Sequence, residues 1–133
     1  MSRLKRAGLG FVFLWFFIGG IGHFVSTGFF VRIVPPYIPW PLAAVYVSGI
    51  FELIGAFALL SRAWRGWAGI GLLALIVCVT PANLWMWQHP DLFPQFPAPL
   101  LGLRLVIQAL LIVVVWWSTR PDAAASIASA QTA

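Results

Sequence analysis

Long apolar stretches, separated by short groups of polar or proline residues, dominate the pattern along the chain of 133 residues. Runs of about 20 residues with few charges have the length that a helix needs to cross a bilayer. Four such runs are present, at residues 8–27, 42–60, 66–87 and 100–118. The pattern therefore predicts an all-α, polytopic membrane protein with a single domain, residues 1–118, folded as a bundle of four transmembrane helices.

The composition excludes an ordinary soluble domain. Hydrophobic residues make up 62% of the chain and charged residues 8%, whereas about a quarter of the residues in a soluble domain are charged. The expected environment is thus a lipid bilayer. The formal net charge of +5 comes mainly from cations beside the apolar runs, so we expect no nucleic-acid partner.

The positions of the cations predict the orientation, because Lys and Arg near helix ends are retained on the cytoplasmic side. If the amino terminus lies inside, only Arg32, and by its position Arg104, fall on the far side. Both termini are then cytoplasmic. The cations assigned to the cytoplasm are Arg3, Lys5, Arg6, Arg62, Arg65 and Arg120.

The first apolar segment is expected to form a helix, whereas the last segment of the chain is not. The basic leader SRLKR precedes an apolar run that is longer than a signal-peptide core and lacks a cleavage motif, so we expect the first helix to be retained. The last segment, RPDAAASIASAQTA, has small residues and no apolar period. Such a segment buries too little apolar surface to fold, and we expect residues 119–133 to form a disordered cytoplasmic tail.

Proline distinguishes the two outer connections, FFVRIVPPYIPWP and QHPDLFPQFPAP, from the short basic turn SRAWR. Proline lacks a backbone donor and restricts the preceding residue to extended conformations. These Pro-rich outer loops are therefore expected to be stiff and non-helical, and to fold over the outer mouth of the bundle rather than enter lipid.

Polar residues within the apolar runs are functional candidates, because ionisable groups in a membrane are costly. At 1.5 Å per residue, Glu52 lies roughly 15 Å below the outer end of the second helix. Arg104 and Gln108 share one face of the fourth helix at a spacing of four residues. We expect the polar residues of all four helices to line one pocket in the outer half of the membrane. They are His23, Ser48, Glu52, Asn83, Arg104 and Gln108.

A charged partner is the first explanation for a carboxylate in a membrane. The long side chain of Arg104 can run down the bundle, so we predict a pair between Glu52 and Arg104, with His23 as the competing partner. The same groups are equally compatible with a structural network worth about 1 kcal/mol per hydrogen bond. For Asn83 alone, the simpler interpretation is that it satisfies backbone groups released by Pro81.

Metal and thiol chemistry lack the residues that they need. Cys78 is the single cysteine, so a C-x-x-C redox motif is missing its second sulfur, and we interpret Cys78 as a small packing residue. His23 and His89 are the two histidines, and neither has the clustered ligands of a zinc or haem site. We predict no metal site and assign no catalytic residue.

A combination of motifs resembles the DoxX family of small four-helix bacterial membrane proteins. The motifs are His23-Phe24, Pro-Pro-x-x-Pro at 35–39, Ser-Gly-x-x-Glu-Leu at 48–53 and Pro-Ala-Asn at 81–83, within a similarity that spans residues 22–86. The last helix matches only in length and hydrophobicity. The resemblance implies a four-helix bundle in the bacterial cytoplasmic (inner) membrane. Because the family is named for a subunit associated with thiosulfate:quinone oxidoreductase, it also implies a redox context.

Three functions are compatible with these residues. The first is a redox-associated accessory subunit that binds a quinone-like molecule in the outer polar pocket, with Glu52 accepting a proton. The second, ranked close to it, is a non-catalytic assembly or scaffold protein within a membrane complex or homo-oligomer. The third is a small proton-coupled transporter, which the one-sided distribution of cations opposes. The sequence does not decide whether the chain is an enzyme.

Overall fold

The computed structural model describes residues 1–133 and is all-helical, with no strand. A short 3-10 turn at Pro90–Leu92 connects the last two long helices. The six α-helices are α1 (Arg3–Val25), α2 (Thr27–Ile33), α3 (Pro41–Leu60), α4 (Arg65–Gln88), α5 (Ala98–Thr119) and α6 (Ala123–Thr132).

Four of these helices, α1, α3, α4 and α5, are long and apolar enough to cross a membrane. The prediction of four such helices is confirmed, with small differences at their ends. The largest difference is at α1, which begins at Arg3 rather than near residue 8. The Ser2 side chain accepts a hydrogen bond from the Lys5 backbone amide at 3.1 Å and caps the helix.

The four long helices form a closed ring in which α1 packs on α3, α3 on α4, α4 on α5, and α5 on α1. We name the two ends of this bundle by their residues. The basic end holds the start of α1, the turn at 61–64 and the end of α5. The loop end holds α2 and the connections at 34–40 and 89–97.

Two separate groups of buried apolar side chains hold the bundle. The larger group lies toward the basic end and includes Val12, Leu59, Leu72 and Val115. The smaller group lies at the loop end and consists of Ile33, Met86, Phe93 and Leu101. The four helices are thus packed tightly at two levels, and the polar residues of the sequence lie between those levels.

Glycine sets the distance between α1 and α3. A Cβ placed on Gly49 would lie 2.7 Å from the His23 Cβ, and one on Gly20 would lie 3.2 Å from the Gly49 carbonyl oxygen. Real Cβ atoms essentially never lie within 3.0 Å of another heavy atom, and 3.2 Å is tighter than nine in ten real contacts, so the absence of side chains permits the close approach. Small residues therefore bring His23 directly against the polar face of α3.

The first outer connection differs from expectation, because residues 27–33 form the helix α2 instead of an extended loop. Its sequence, TGFFVRI, contains no proline, and the Thr27 hydroxyl donates to the His23 carbonyl at 2.8 Å, which joins α2 to the end of α1. The non-helical conformation begins at Val34, whose extended backbone precedes Pro35. The effect of proline was predicted correctly but assigned to too long a segment.

The C-terminal tail also differs from the expected disorder, since residues 123–132 form the helix α6. Alanine has the highest helix propensity, and this segment is rich in alanine. No residue of α6 is buried, which agrees with its lack of an apolar stripe. The attachment is made just before the helix, where Asp122 contacts the Lys5 ammonium at 2.9 Å and the N-terminal amine at 3.3 Å.

Replacing Gly49 by alanine tests the close contact between α1 and α3. We expect Gly49→Ala to lower the free energy of unfolding by about 1–3 kcal/mol, because the new methyl group collides with the rigid base of His23. The measurement is unfolding of the purified protein in detergent. Gly71→Ala is the matched control, since nothing lies within 4 Å of its Cβ position. Equal stability of the two variants would contradict the role of Gly49.

The attachment of the tail is expected to depend on pH. Hydrogen bonds from Lys5 and from the N-terminal amine lower the pKa of Asp122 below its usual value of 3.8. A carboxyl group with a lowered pKa stabilises the folded state while ionised. Its contribution is therefore complete above pH 3.8 and is lost as the pH falls through the lowered pKa. We expect acid to expose the segment before α6 to protease, and Asp122→Asn to be equally exposed at neutral pH. A wild-type pattern in that variant would contradict the proposed attachment.

Candidate functional site

A cavity of about 780 Å³ lies between the two apolar groups. All four long helices and α2 contribute to its wall, and 18 of its 26 lining residues are hydrophobic. The cavity reaches the side of the bundle, since the lining residues Phe51 on α3 and Cys78 on α4 are exposed. Each of the six polar residues singled out by the sequence lines this cavity, namely His23, Ser48, Glu52, Asn83, Arg104 and Gln108.

His23 is the residue that faces Glu52. The Nε2 atom of His23 lies 3.6 Å from Oε1 of Glu52, and their side chains are 8% and 12% exposed. The predicted ion pair between Glu52 and Arg104 is wrong, because no oxygen of Glu52 lies within salt-bridge distance of that arginine. The competing partner named from the sequence occupies the position instead, since glycine contacts hold α1 directly against α3.

The ring orientation of His23 is fixed by the backbone of α3. Its Nδ1 atom lies 2.8 Å from the Val45 carbonyl oxygen, and the Ser48 hydroxyl is 3.0 Å from the same nitrogen. A carbonyl oxygen can only accept, so Nδ1 carries a hydrogen. The remaining nitrogen, Nε2, faces Glu52. It carries a lone pair when the imidazole is neutral and a second N–H when the imidazole is protonated. Ser48 thus positions the histidine rather than the carboxylate.

One carboxylate oxygen of Glu52 has no hydrogen-bond partner although it is buried. This atom, Oε2, occupies space beside Gly19 on α1, where an added Cβ would lie 2.9 Å from it. The separation of 3.6 Å on the other oxygen is also longer than a hydrogen bond. Glu52 is therefore held in a fitted position with its hydrogen-bonding capacity largely unused.

Arg104 belongs to a separate cluster of hydrogen-bonded side chains that joins α4 to α5. Its Nη2 atom donates to Oδ1 of Asn83 at 3.1 Å, and the Asn83 amide in turn donates to Gln108. The Gln108 amide donates to the Thr80 hydroxyl and to the Ile76 carbonyl oxygen. The donors follow one another in a single order, from Arg104 to Asn83, from Asn83 to Gln108, and from Gln108 to Thr80. The Nε atom of Arg104 takes no part in them and is buried without a partner.

The hydrogen bonds of Asn83 correct its sequence-based interpretation. Its side chain bonds to Arg104 and Gln108 on the neighbouring helix, not to backbone groups near Pro81. Thr80 is a member of this group that the sequence reasoning missed. Its position one turn before Asn83 places it on the same face of α4, and this spacing was the available signal.

Two further residues shape the cavity around His23. Phe30 of α2 lies over the imidazole with ring centres 4.1 Å apart, because residues 27–33 form a helix instead of an extended loop. Gly19 accommodates the carboxylate, and it belongs to the small-residue face of α1. Neither residue bears a functional group, so a search for chemical groups alone does not find them.

Cys78 and His89 make no side-chain hydrogen bond with the polar residues described above. Cys78 is exposed at the side of the cavity, so it is not the packing residue that was expected. His89 lies at the end of α4, where its ring stacks on Trp85 with centres 3.7 Å apart. No three His, Cys, Asp or Glu side chains are grouped so that they could hold a metal ion.

Comparison with known proteins gives one match. The sequence model of a family described as a domain of unknown function, DUF8561, matches residues 12–119. This range covers α1 from residue 12 onward, the whole of α3, α4 and α5, and every residue of the cavity wall named above. No curated protein and no solved structure matches the chain. The cavity is thus the main guide to function.

Removing Gln108 tests the hydrogen-bonded group between α4 and α5. We expect Gln108→Leu to lower the free energy of unfolding by about 1 kcal/mol, because Asn83 and Thr80 lose a partner inside the bundle. Gln88→Leu, at the exposed end of α4, is the control for the same change of side chain. Thermal unfolding in detergent gives the comparison, and an unchanged Gln108→Leu variant would show that the group does not stabilise the fold.

Proposed function

We propose that this chain, which belongs to the DUF8561 family, binds a quinone-like small molecule in the cavity between its four long helices. The observation that carries the proposal is the presence of two buried polar atoms without partners, Glu52 Oε2 and Arg104 Nε, on residues lining the same cavity. An unsatisfied buried polar group costs about 1–3 kcal/mol. A ligand with two oxygen atoms relieves both costs, because one oxygen accepts from Arg104 and the other accepts from protonated Glu52 in the quinone form or donates to its carboxylate as a quinol hydroxyl.

The shape and lining of the cavity support a ligand of this class. Small-molecule sites combine a mostly apolar wall with a few polar groups that fix orientation. Here the apolar residues surround two polar groups, the pair His23 and Glu52 on one side and Arg104 with its amide partners on the other. A substituted ring with oxygen atoms at its edge matches this distribution.

His23 and Glu52 give the site a means of handling protons. The hydrogen on Nδ1 is committed to the Val45 carbonyl, so the proton that can be exchanged lies between Nε2 and the carboxylate. One proton shared by these two groups leaves the pair neutral overall, whether it resides on nitrogen or oxygen. Reduction of a quinone takes two electrons and two protons. We assign the donation of one of these protons to this pair, which leaves a neutral imidazole beside a carboxylate, and the second proton comes from solvent water.

The electrons in that reaction come from a second protein. The chain contains one cysteine and no group of metal-ligating side chains of its own. We therefore propose an accessory role, in which this protein holds the quinone-like molecule and its proton beside an electron-transferring oxidoreductase subunit. The resemblance of its motifs to the DoxX family supports this redox-associated role.

The same proposal places the protein in the bacterial cytoplasmic membrane with both termini in the cytoplasm. Support comes from the basic end, where Lys5, Arg62, Arg65 and Arg120 line one cavity. Cations gathered at one end of a helical bundle favour the cytoplasmic side. The polar cavity then lies toward the outer half of the membrane.

Binding of a short-chain benzoquinone to the purified protein in detergent tests the proposal. We expect Glu52→Leu to weaken binding by about tenfold, which corresponds to roughly 1.4 kcal/mol, because the ligand loses a polar partner. Asp91→Leu, which removes an exposed carboxylate outside the cavity, is expected to bind as the wild type does. Calorimetric titration gives both affinities.

Glu52→Gln separates hydrogen bonding from proton exchange. The amide keeps a donor and an acceptor but cannot take up a proton, so we expect binding to persist with a weaker dependence on pH. A wild-type protein that binds no quinone would overturn the proposal. If such a protein were recovered from membranes with a larger complex, an assembly role would take its place.

A further inference from the structure

A second cavity, of about 840 Å³, lies at the basic end of the bundle, far from Glu52. Its wall comes from the start of α1, the turn between α3 and α4, the start of α4 and the segment that follows α5. The wall contains a single carboxylate, Asp122, and several cations. These cations are Lys5, Arg6, Arg62, Arg65 and Arg120.

The positive charge of this cavity is only partly balanced within the chain. Asp122 is occupied by Lys5 at 2.9 Å and by the N-terminal amine at 3.3 Å. Arg65 and Arg120 donate to backbone carbonyls, those of Leu59 and Gly66, which carry no charge.

Three arginines in this cavity carry donors that have no acceptor. Arg6 and Arg62 are exposed and make no side-chain hydrogen bond or ion pair, and the Nε atom of Arg120 is buried without a partner. An anion would therefore meet several unpaired donors in this cavity.

Backbone N–H groups add to the positive potential of this cavity. The helix α4 begins at Arg65 without a side-chain cap, and the amides of Gly66 and Trp67 donate no backbone hydrogen bond. Both residues line the cavity. The first turn of a helix carries a partial positive charge, and its free amides bind phosphate and similar anions. Side-chain cations and helix amides thus converge on one space.

An exposed tryptophan in the wall favours a position of this cavity at the depth of lipid headgroups. Trp67 is 71% exposed and Ile70 is 45% exposed, and both line the cavity on its lipid side. Exposed tryptophan is typical of the boundary between the acyl chains and the headgroups. A lipid could place its phosphate among the arginines and its chains along Trp67 and Ile70.

We propose that the cavity at the basic end binds the phosphate group of an anionic phospholipid. Basic pockets between transmembrane helices are suited to such headgroups. A zwitterionic lipid offers the same phosphate but adds an ammonium that meets the arginines, and it is therefore disfavoured. This inference does not depend on the proposed function, because it concerns other residues and the opposite end of the bundle.

The experiment uses the full-length protein, purified in detergent, with phosphatidylglycerol, phosphatidylcholine and inorganic phosphate as separate probes. We expect phosphatidylglycerol to remain bound in native mass spectrometry and to raise the melting temperature, and the other two probes to do neither at the same concentration. Arg6→Gln and Arg62→Gln should each weaken phosphatidylglycerol binding about fivefold. These variants remove no internal contact, so they are expected to fold normally.

Arg32→Gln is the matched control, because it removes an exposed arginine at the loop end. It should bind phosphatidylglycerol as the wild type does. Equal binding of phosphatidylglycerol and phosphatidylcholine would overturn the proposal, as would wild-type affinity in the Arg62→Gln variant. Binding of inorganic phosphate as tight as that of the lipid would assign the cavity to a free anion and overturn the lipid assignment.

Discussion

Polar groups inside a bundle of membrane-length apolar helices must find their partners within the protein, because lipid offers none. The pair of α4 and α5 meets this requirement through the hydrogen bonds that join Arg104, Asn83, Gln108 and Thr80, except at the Arg104 Nε atom, which is buried without a partner. On the pair of α1 and α3, one carboxylate oxygen of Glu52 is in the same state. Each helix pair thus leaves one buried polar atom unpaired, and the residues that carry these two atoms line the same cavity.

The arrangement of the apolar core explains why there is space for such a site. Close packing at two levels, around Leu72 near the basic end and around Met86 at the loop end, fixes the four helices relative to one another. Between these levels the side chains, both the apolar ones and the polar ones of His23, Glu52 and Arg104, line a space that they do not fill. The cavity is thus a consequence of where bulky side chains are placed along the helices.

The sequence predicts the helices far better than it predicts the contacts between them. Length and hydropathy define four apolar runs because lipid imposes a simple constraint on each run separately. The partner of Glu52 depends instead on how each helix is rotated about its axis and on the glycines that bring α1 against α3. The height of a residue along its helix depends on neither of these. Arg104 was within reach by length, but Asn83 on the adjacent helix holds its guanidinium. The tail shows the reverse error, since weak hydropathy suggested disorder where alanine favours a helix.

The side opening at Phe51 and Cys78 has a consequence for how a ligand would arrive. A hydrophobic molecule dissolved among acyl chains can enter there without crossing the proline-rich connections, so those connections have no need to open and close. The concentration that governs occupancy is then the amount of ligand per lipid, set by its partitioning into the bilayer rather than by its solubility in water. A longer hydrocarbon tail would increase occupancy even if every contact inside the protein stayed the same.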